Sequence, residues 1–243
     1  MQLDKLLQSQ GFGSRKHCQQ LIESGQVAVD GEVVTSAKTK VKPEQLNFSV
    51  FGEDFIYREY VYLALYKPQG YECSHHPQYH HSVFDLFPDY LLAREIQTVG
   101  RLDQDTTGLL LLTDDGKYLH ALTHPRKHVA KHYQVTTRDP ITPEQLDLLV
   151  QGVILKNEKG IFAATDVIQL SSHQCQFAIH QGVYHQVKRM LAAVGNHVEK
   201  LHRLQIGQLN LQQLPLVEGE WCYLEESEYV AARQQIRANE PNN

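Results

Sequence analysis

The spacing of apolar and polar positions divides the chain near residue 57. Leu3, Leu6 and Leu7 fall on one face of a short helix, which "GFG" at 11–13 interrupts. Ser14 is placed to cap a second helix, with Cys18, Leu21 and Ile22 on one side and Gly25 as its stop. "QVAVDGEVV" then alternates around Asp30-Gly31, the dipeptide that favours a tight antiparallel hairpin. Together these predict a helix-helix-hairpin module over residues 1–57. By pattern alone, a plain structural subdomain and a binding module fit it equally well.

A larger domain is predicted over residues 60–237, after the polar, strand-like "FGEDFIYRE". "YVYLALYKPQGY" reads as a strand ended by Pro68 and Gly70. A helix-like "SVFDLF" follows, and then Leu109 to Leu112, a run with the length of a strand buried on both faces, closed by a turn at Asp114-Asp115-Gly116. In "DPITPEQLDLLVQG", Thr142 is the expected N-cap, Pro143 the first helical residue, Leu146, Leu148 and Leu149 core positions, and Gly152 the stop. Further strands are expected at 161–169, 174–181 and 202–211, with a helix at 186–194. Without a regular βαβ repeat or a Gly-rich phosphate loop, this order predicts an α+β fold on a mixed, mostly antiparallel sheet. The polar end "RANEPNN" is expected to fray.

Composition narrows the classes. A chain of 243 residues with 42% hydrophobic and 21% charged content is not a disordered one. No apolar run approaches the roughly 20 residues that span a bilayer, so no membrane association is expected. An early acid and no long apolar core at the start argue against secretion, and four scattered cysteines without a C-x-x-C pair fit a reducing cytoplasmic setting. The net charge of -5 does not favour a polyanion partner. Its distribution keeps one open: acids crowd "EGEWCYLEESEY", whereas "HPRKHVAKHY" and "YHQVKRM" are basic, and the histidines gain charge beside phosphate.

The stretch "GRLDQDTTGLLLLTDDG" sets Asp103 on a loop entering the leucine strand. A carboxylate there is a turn-former, a metal ligand or a catalytic group, and without context the turn reading leads. Asp105 is expected to bond its own loop through Thr106 and Thr107 rather than react. "CSHHPQYHH" gathers Cys73, His75, His76, His80 and His81; their irregular spacing favours a polar loop near a polyanion over a metal site.

Two resemblances supply the context. "LDKLL...GFGSRKHCQQLIESGQVAVDGEVV" resembles an S4 RNA-binding domain and covers the first quarter of the chain. It implies that Lys5, Ser14, Arg15 and Lys16 face RNA, where cations and a helix N-terminus meet phosphate. Gln2 stands where Arg is frequent. "GRLDQDTTGL", "KHYQV" and "GVYHQVKRM", in that order, resemble the pseudouridine synthases, specifically the RsuA branch that modifies small-subunit ribosomal RNA. "YKPQGYECS", "LTDDG" and "HQVKRMLAAVGNHVEKLHR" extend the likeness over nearly the whole chain.

That likeness implies an isomerase that cuts a uridine's glycosidic bond, turns the flipped-out uracil and rejoins it through carbon 5, with no cofactor and no metal. Asp103 is then the carboxylate at the sugar-base bond and Lys188 the cation that keeps it ionised. Tyr133 lies beneath the uracil and takes a ribose proton, and Arg101 moves towards the vacated space. His185, Gln186, Arg189 and Arg203 complete the expected RNA-binding set, and Val183 stands where Arg usually precedes Tyr-His-Gln. Plainer alternatives are Lys188 as a solvated helix charge, Tyr133 as an ordinary half-buried aromatic, and "LHR" as a strand with one apolar and one surface residue. The implied partner is 16S rRNA or the assembling small subunit, with uridine 516 as target and a monomeric enzyme. Alternatives are a large-subunit rRNA synthase of the same family and a noncatalytic S4-type assembly factor. A metal-dependent phosphodiesterase using Asp103, Asp105, Asp114 and Asp115 ranks last, because a whole strand separates those acids.

Overall fold

The first two helices bury the stripes that their spacing predicts. The computed structural model describes residues 1–44, 46–124 and 129–234; most of the basic "HPRKH" and all of "RANEPNN" lie outside them. Helices α1 (Leu3–Ser9) and α2 (Arg15–Glu23) bring Leu3, Leu6, Leu7, Cys18 and Ile22 into one core with Val27, Phe48 and Val50. Ser14 caps α2, its side chain accepting from the His17 N–H at 3.3 Å. Strands β1 (Val27–Val29) and β2 (Glu32–Val33) pair around Asp30 and Gly31, whose φ values of 49° and 84° are the two left-handed positions of a type I′ turn. Strands β3 (Asn47–Val50) and β4 (Glu53–Ile56) extend the sheet in the order β2-β1-β3-β4, so the polar connection is itself a strand pair.

The unit comprises Met1–Val61 together with Phe87–Gln97, which carries α3 (Asp89–Leu92). Tyr90 stacks on Phe12 with centroids 5.7 Å apart and meets Phe55 edge-on at 5.4 Å. Gly11, at φ +89°, lies against the Tyr90 carbonyl, where a Cβ would collide. Arg94 donates to the carbonyls of Arg58 and Glu59 at 3.0 and 2.9 Å.

The second unit comprises Tyr62–Leu86 and the chain from Thr98 onward. Its elements are β5 (Tyr62–Lys67), β6 (Tyr71–Glu72), β7 (His81–Ser82), β8 (Gln97–Thr98), β9 (Thr106–Thr113), α4 (Gly116–Thr123), β10 (Lys131–Thr137) and α5 (Pro143–Gln151). There follow β11 (Thr165–Ser171), β12 (Gln174–Ile179), α6 (Gln186–Ala193), β13 (Val198–Ile206), β14 (Leu209–Asn210), β15 (Trp221–Tyr223) and α7 (Glu226–Ala231). Among the described residues the main sheet runs β11-β12-β10-β13-β9-β5-β15, with β14 beside β13 and β8 beside β9. Along that seven-strand path the pairs are antiparallel except for β13 on β9. This is the mixed, mostly antiparallel sheet of an α+β fold.

Leu109 to Leu112 are all fully buried. Leu109 and Leu111 join the cluster of Ala64, Tyr118 and Leu224, and the alternation of a strand sends Leu110 and Leu112 to the opposite face. Thr142 forms a capping box with Gln145 ahead of α5. In that helix Leu149 is buried but Leu148 is 46% exposed, correcting its expected core place: Leu146 and Leu149 share a face, and Leu148 lies about 100° round the helix. Two strand boundaries also move. Near 161, Phe162 makes only an isolated bridge to Val153, and the regular strand begins at Thr165. The strand expected at 202 begins at Val198, where charged exposed residues masked its alternation, and Gly207 at φ +55° turns it into β14.

The parallel β9–β13 pair matches Leu201 to Thr106, His202 to Thr107 and Arg203 to Gly108. A Cβ on Gly108, at φ +108°, would press on the Arg203 backbone, lying 2.7 Å from its nitrogen. Gly108→Ala is therefore expected to lower stability by about 3 kcal/mol or more, measured by urea unfolding. A change below roughly 1 kcal/mol would show that the strands can part there without cost.

Candidate active site

The loop before β9 is tied down from below by the end of β5. Lys67 is fully buried, and its ammonium donates to the carbonyls of Pro68 and Thr106 at 2.9 Å each and of Gln104 at 3.4 Å. The Gly70 N–H donates to the Gln104 carbonyl at 2.7 Å, the Leu102 N–H meets Cys73 Sγ at 3.4 Å, and the Thr106 N–H closes a turn on the Asp103 carbonyl at 3.1 Å. Gly100, at φ +74°, starts the loop. Asp103 is thus presented by a loop whose backbone is pinned at Leu102, Asp103, Gln104 and Thr106, and its side chain remains 29% exposed.

Helix α6 supplies the partners of that side chain. His185, its N-cap, adopts a left-handed φ of 50°, stacks on Tyr184 at 3.7 Å and places Nε2 3.3 Å from Asp103 Oδ1. One turn on, Lys188 Nζ lies 2.9 Å from Asp103 Oδ2 and also donates to both oxygens of Asp105 at 2.7 and 3.0 Å. Partial burial acts to lower the Lys188 pKa, but the bonds and charges of the two carboxylates outweigh it and raise it above the ordinary lysine value. Lys188 is therefore a paired ammonium rather than a solvated helix charge. Asp105 faces this ammonium, correcting the expectation that it bonds the Thr106-Thr107 loop; a partner distant in sequence displaced a local one.

The cleft beside Asp103 has a volume of about 850 Å³, within the usual range for a ligand pocket. The strand registers explain which side chains line it. Tyr133 on β10 pairs with Arg203 on β13, which pairs with Gly108 just past the Asp103 loop, so Asp103, Tyr133, Lys188 and Arg203 all line the one cavity. Tyr133 is 6% exposed. Leu201 and Arg203, two residues apart on one strand face, are both buried, so the reading of "LHR" as one apolar and one surface residue does not hold. Arg203 Nε donates to the Leu109 carbonyl at 2.7 Å. Burial, reinforced by the field of Arg203, pulls the Lys131 ammonium at the cleft down to about 8.

The other expected contacts fall in different settings. Arg101 is exposed at the rim. Gln186 is buried, receiving the Val183 N–H and donating to Gln181. Arg189 binds Glu158 at 3.0 Å and the carbonyls of Tyr184 and Lys156, fastening the loop around 156–158 to α6. In the N-terminal unit, Lys5, Ser14 and Lys16 are exposed. Arg15 donates through Nε to Asp4 at 2.7 Å and through Nη2 to Gln2 at 3.0 Å. Asp4 is buried, which acts to raise its pKa, but hydrogen bonds from Gln19 and Arg15 more than offset this and hold it below the ordinary carboxylate value.

Among the described residues, no group of three or more His, Cys, Asp or Glu side chains is placed to hold a metal ion. His75 stacks on Phe84 at 3.6 Å, and Asp115 accepts from the Lys117 N–H and the Tyr62 hydroxyl, caps and packing rather than ligation. No helix among them is long and apolar enough to cross a membrane. Lys67, beneath the Asp103 loop, is the supporting residue least visible in sequence: a lysine closing the apolar run of "YLALYKP" is its only signal.

An S4-type unit followed by a sheet that lines a cleft with one aspartate, its lysine and a tyrosine is the build of an RNA-modifying isomerase. Residues 61–193 match the RNA pseudouridylate synthase family and residues 1–46 the S4 domain. The chain belongs to the RNA pseudouridylate synthase family, as an enzyme of the RsuA type. It is 40% identical to the ribosomal small subunit pseudouridine synthase A of Vibrio vulnificus (strain CMCP6), over 94% of this chain and 97% of that protein. It is also 40% identical to the protein of that name from Escherichia coli (strain K12), over 95% and 99%. A crystal structure of a pseudouridylate synthase superposes with a TM-score of 0.67 at 36% identity, covering 96% of this chain and 99% of that one.

The Lys67 ammonium has a pH consequence. Burial lowers its pKa to about 8, against the favourable fields of Cys73, Asp105 and Asp103, whereas the unfolded chain keeps the usual 10.5. Between these values the unfolded state binds the extra proton, so Lys67 makes stability rise as pH climbs from about 8 to 10.5. The stability of the native enzyme minus that of Lys67→Met, followed by urea unfolding, is expected to grow across that window. A difference that is flat or falls there would mean the native ammonium keeps its proton.

Proposed function

We propose that the enzyme isomerises one uridine of small-subunit ribosomal RNA, uridine 516 of 16S rRNA in the numbering the family resemblance implies, with Asp103 as the reacting carboxylate. The observation that carries this reading is the Asp103–Lys188 ion pair, 2.9 Å long, in a cleft that Tyr133 also lines. The adjacent ammonium gives the carboxylate a counter-charge inside the cleft. A uridine in a helix cannot enter such a cleft, so the base flips out, and Arg101 at the rim moves into the space it leaves. Tyr133 stacks under the uracil while Asp103 attacks C1′ or assists loss of the base as a glycal; only the glycal route has Tyr133 take a ribose proton, from C2′, and that proton returns to C2′ as C5 bonds to C1′. The C1′–N1 bond is exchanged for C1′–C5, and a proton leaves C5 as one reaches N1. The reaction is redox-neutral and calls for no cofactor.

The S4 unit anchors the RNA through Lys5, Ser14, Arg15 and Lys16. Asp4 and Gln2 hold the Arg15 guanidinium in a fixed pose, which reduces the ordering cost of binding phosphate. His185 bears on Asp103, while Gln186, Arg189 and Arg203 shape the wall that receives the nucleotide. The names of the two curated relatives support a small-subunit target. The enzyme acts as a monomer in the cytoplasm on 16S rRNA or the assembling subunit.

Recombinant enzyme given 16S transcript or assembling particles, without added metal, is expected to form one pseudouridine by chemical mapping. Asp103→Asn should abolish it, a loss of at least about 10³-fold, with RNA affinity kept within a few-fold. Modification of large-subunit RNA alone would move the target, and binding without pseudouridine would leave an assembly factor. Arg15→Ala should weaken RNA binding and reduce the slope of log affinity against log salt by about 1. An unchanged slope would remove Arg15 from the phosphate contacts.

A further inference from the structure

Asp105 has no task in the mechanism above, yet it holds Lys188 more fully than Asp103 does. Lys188 Nζ donates to both Asp105 oxygens, at 2.7 and 3.0 Å, and reaches Asp103 only through Oδ2 at 2.9 Å. We propose that Asp105 is a positioning residue that divides the Lys188 ammonium between two carboxylates, so that Asp103 keeps a cationic partner without having its reactive oxygen quenched. The proposal rests on the reading of Asp103 as the reacting group.

An ammonium devoted to one carboxylate favours its ionised form most, but occupies the lone pairs that the carboxylate needs for attack. A second carboxylate on the same ammonium draws it aside, and its negative charge makes ionised Asp103 more basic. On the nucleophilic route an Asp103 oxygen bonds to C1′, the C1′–N1 pair leaves with the uracil, and Asp103 becomes a neutral ester. Lys188 is then still paired with Asp105, so its ammonium is not left without a counter-charge. Attack by C5 of the turned uracil on C1′ breaks the ester and restores the Asp103 carboxylate. On the glycal route the same sharing sets the basicity of ionised Asp103.

Several charged or titratable groups face Asp103: Lys188 and His185 from α6, Asp105 and Arg101 from its own loop, and Lys67 from β5. Lys131 and Tyr133 on β10 and Arg203 on β13 line the same cleft. Asp105→Asn removes one charge from this set and leaves the others in place.

The test is the pH profile of kcat/KM on 16S rRNA for wild type, Asp105→Asn and Asp105→Glu, with Asp103→Asn alongside. The Asn variant is expected to lose about tenfold in kcat near neutral pH with KM unchanged, and its acid limb should move to lower pH by about half a pH unit or more. Asp105→Glu should return the limb to its wild-type position. If Asp105 only anchored Lys188, its loss would free the ammonium from Asp103 and move the limb to higher pH. That result, or an unmoved limb, overturns the proposal. Activity in Asp103→Asn would instead sink the reading of Asp103 on which it rests. The Asp105 side chain is 45% exposed and Asn is isosteric, so folding is expected to survive; if unfolding curves show otherwise, Asp105→Ser carries the same measurement.

Discussion

The cleft depends on one close approach between two parallel strands. Where β9 meets β13, Gly108 lets the Arg203 backbone come nearer than any side chain would allow. That contact sets the three-residue register in which Thr106, the residue that closes the Asp103 turn, lies beside Leu201. The antiparallel partner of β13 then carries Tyr133 to the position opposite Arg203, and α6, the helix before β13, brings Lys188 over the loop. A glycine with no side chain thus determines which chemical groups share a cavity. The parallel pair needs a long crossover, and the chain between β9 and β13 supplies β10, β12 and α6 within that connection.

Around this frame the cations are used in two ways. Lys67 is enclosed and satisfied by carbonyl oxygens, so its charge works through the backbone and fixes the shape of the acid-bearing loop. Lys188 is partly exposed and satisfied by carboxylates, so its charge bears directly on the side chains of Asp103 and Asp105. Arg203 is sealed in the wall and Arg189 is fastened to Glu158. An overall charge of -5 says little about such a site. The field at a partly dry cleft comes from the few ions within several ångströms, and distant surface acids are screened.

Features fixed by neighbours in sequence were legible. The Ser14 and Thr142 caps, the Asp30-Gly31 turn and the twice-buried leucine strand all follow from local rules. Asp103, Tyr133 and Lys188 could be singled out only as members of a motif set; no periodicity joins positions so far apart. Asp105 shows the limit most clearly. Its nearest hydroxyls in sequence are Thr106 and Thr107, yet a lysine 83 positions away takes its carboxylate. Lys67 was hidden for the converse reason, because a lysine at the end of an apolar run normally marks a surface. The start of β13 was obscured by exposed Glu199 and Lys200, which a half-solvated strand end accommodates.

The aromatic contact of Tyr90 with Phe12 and Phe55 alters how the polypeptide can be dissected. Because Phe87–Gln97 belongs with the first unit, the chain passes between the units at 61–62, at 86–87 and again at 97–98. The S4 portion is consequently not a bead that can be clipped from its string. A fragment ending at Val61 would lose the ring that covers Phe12, along with the guanidinium that ties Arg58 and Glu59. Grafting this RNA-binding portion onto another enzyme would therefore mean transplanting two separate stretches of chain.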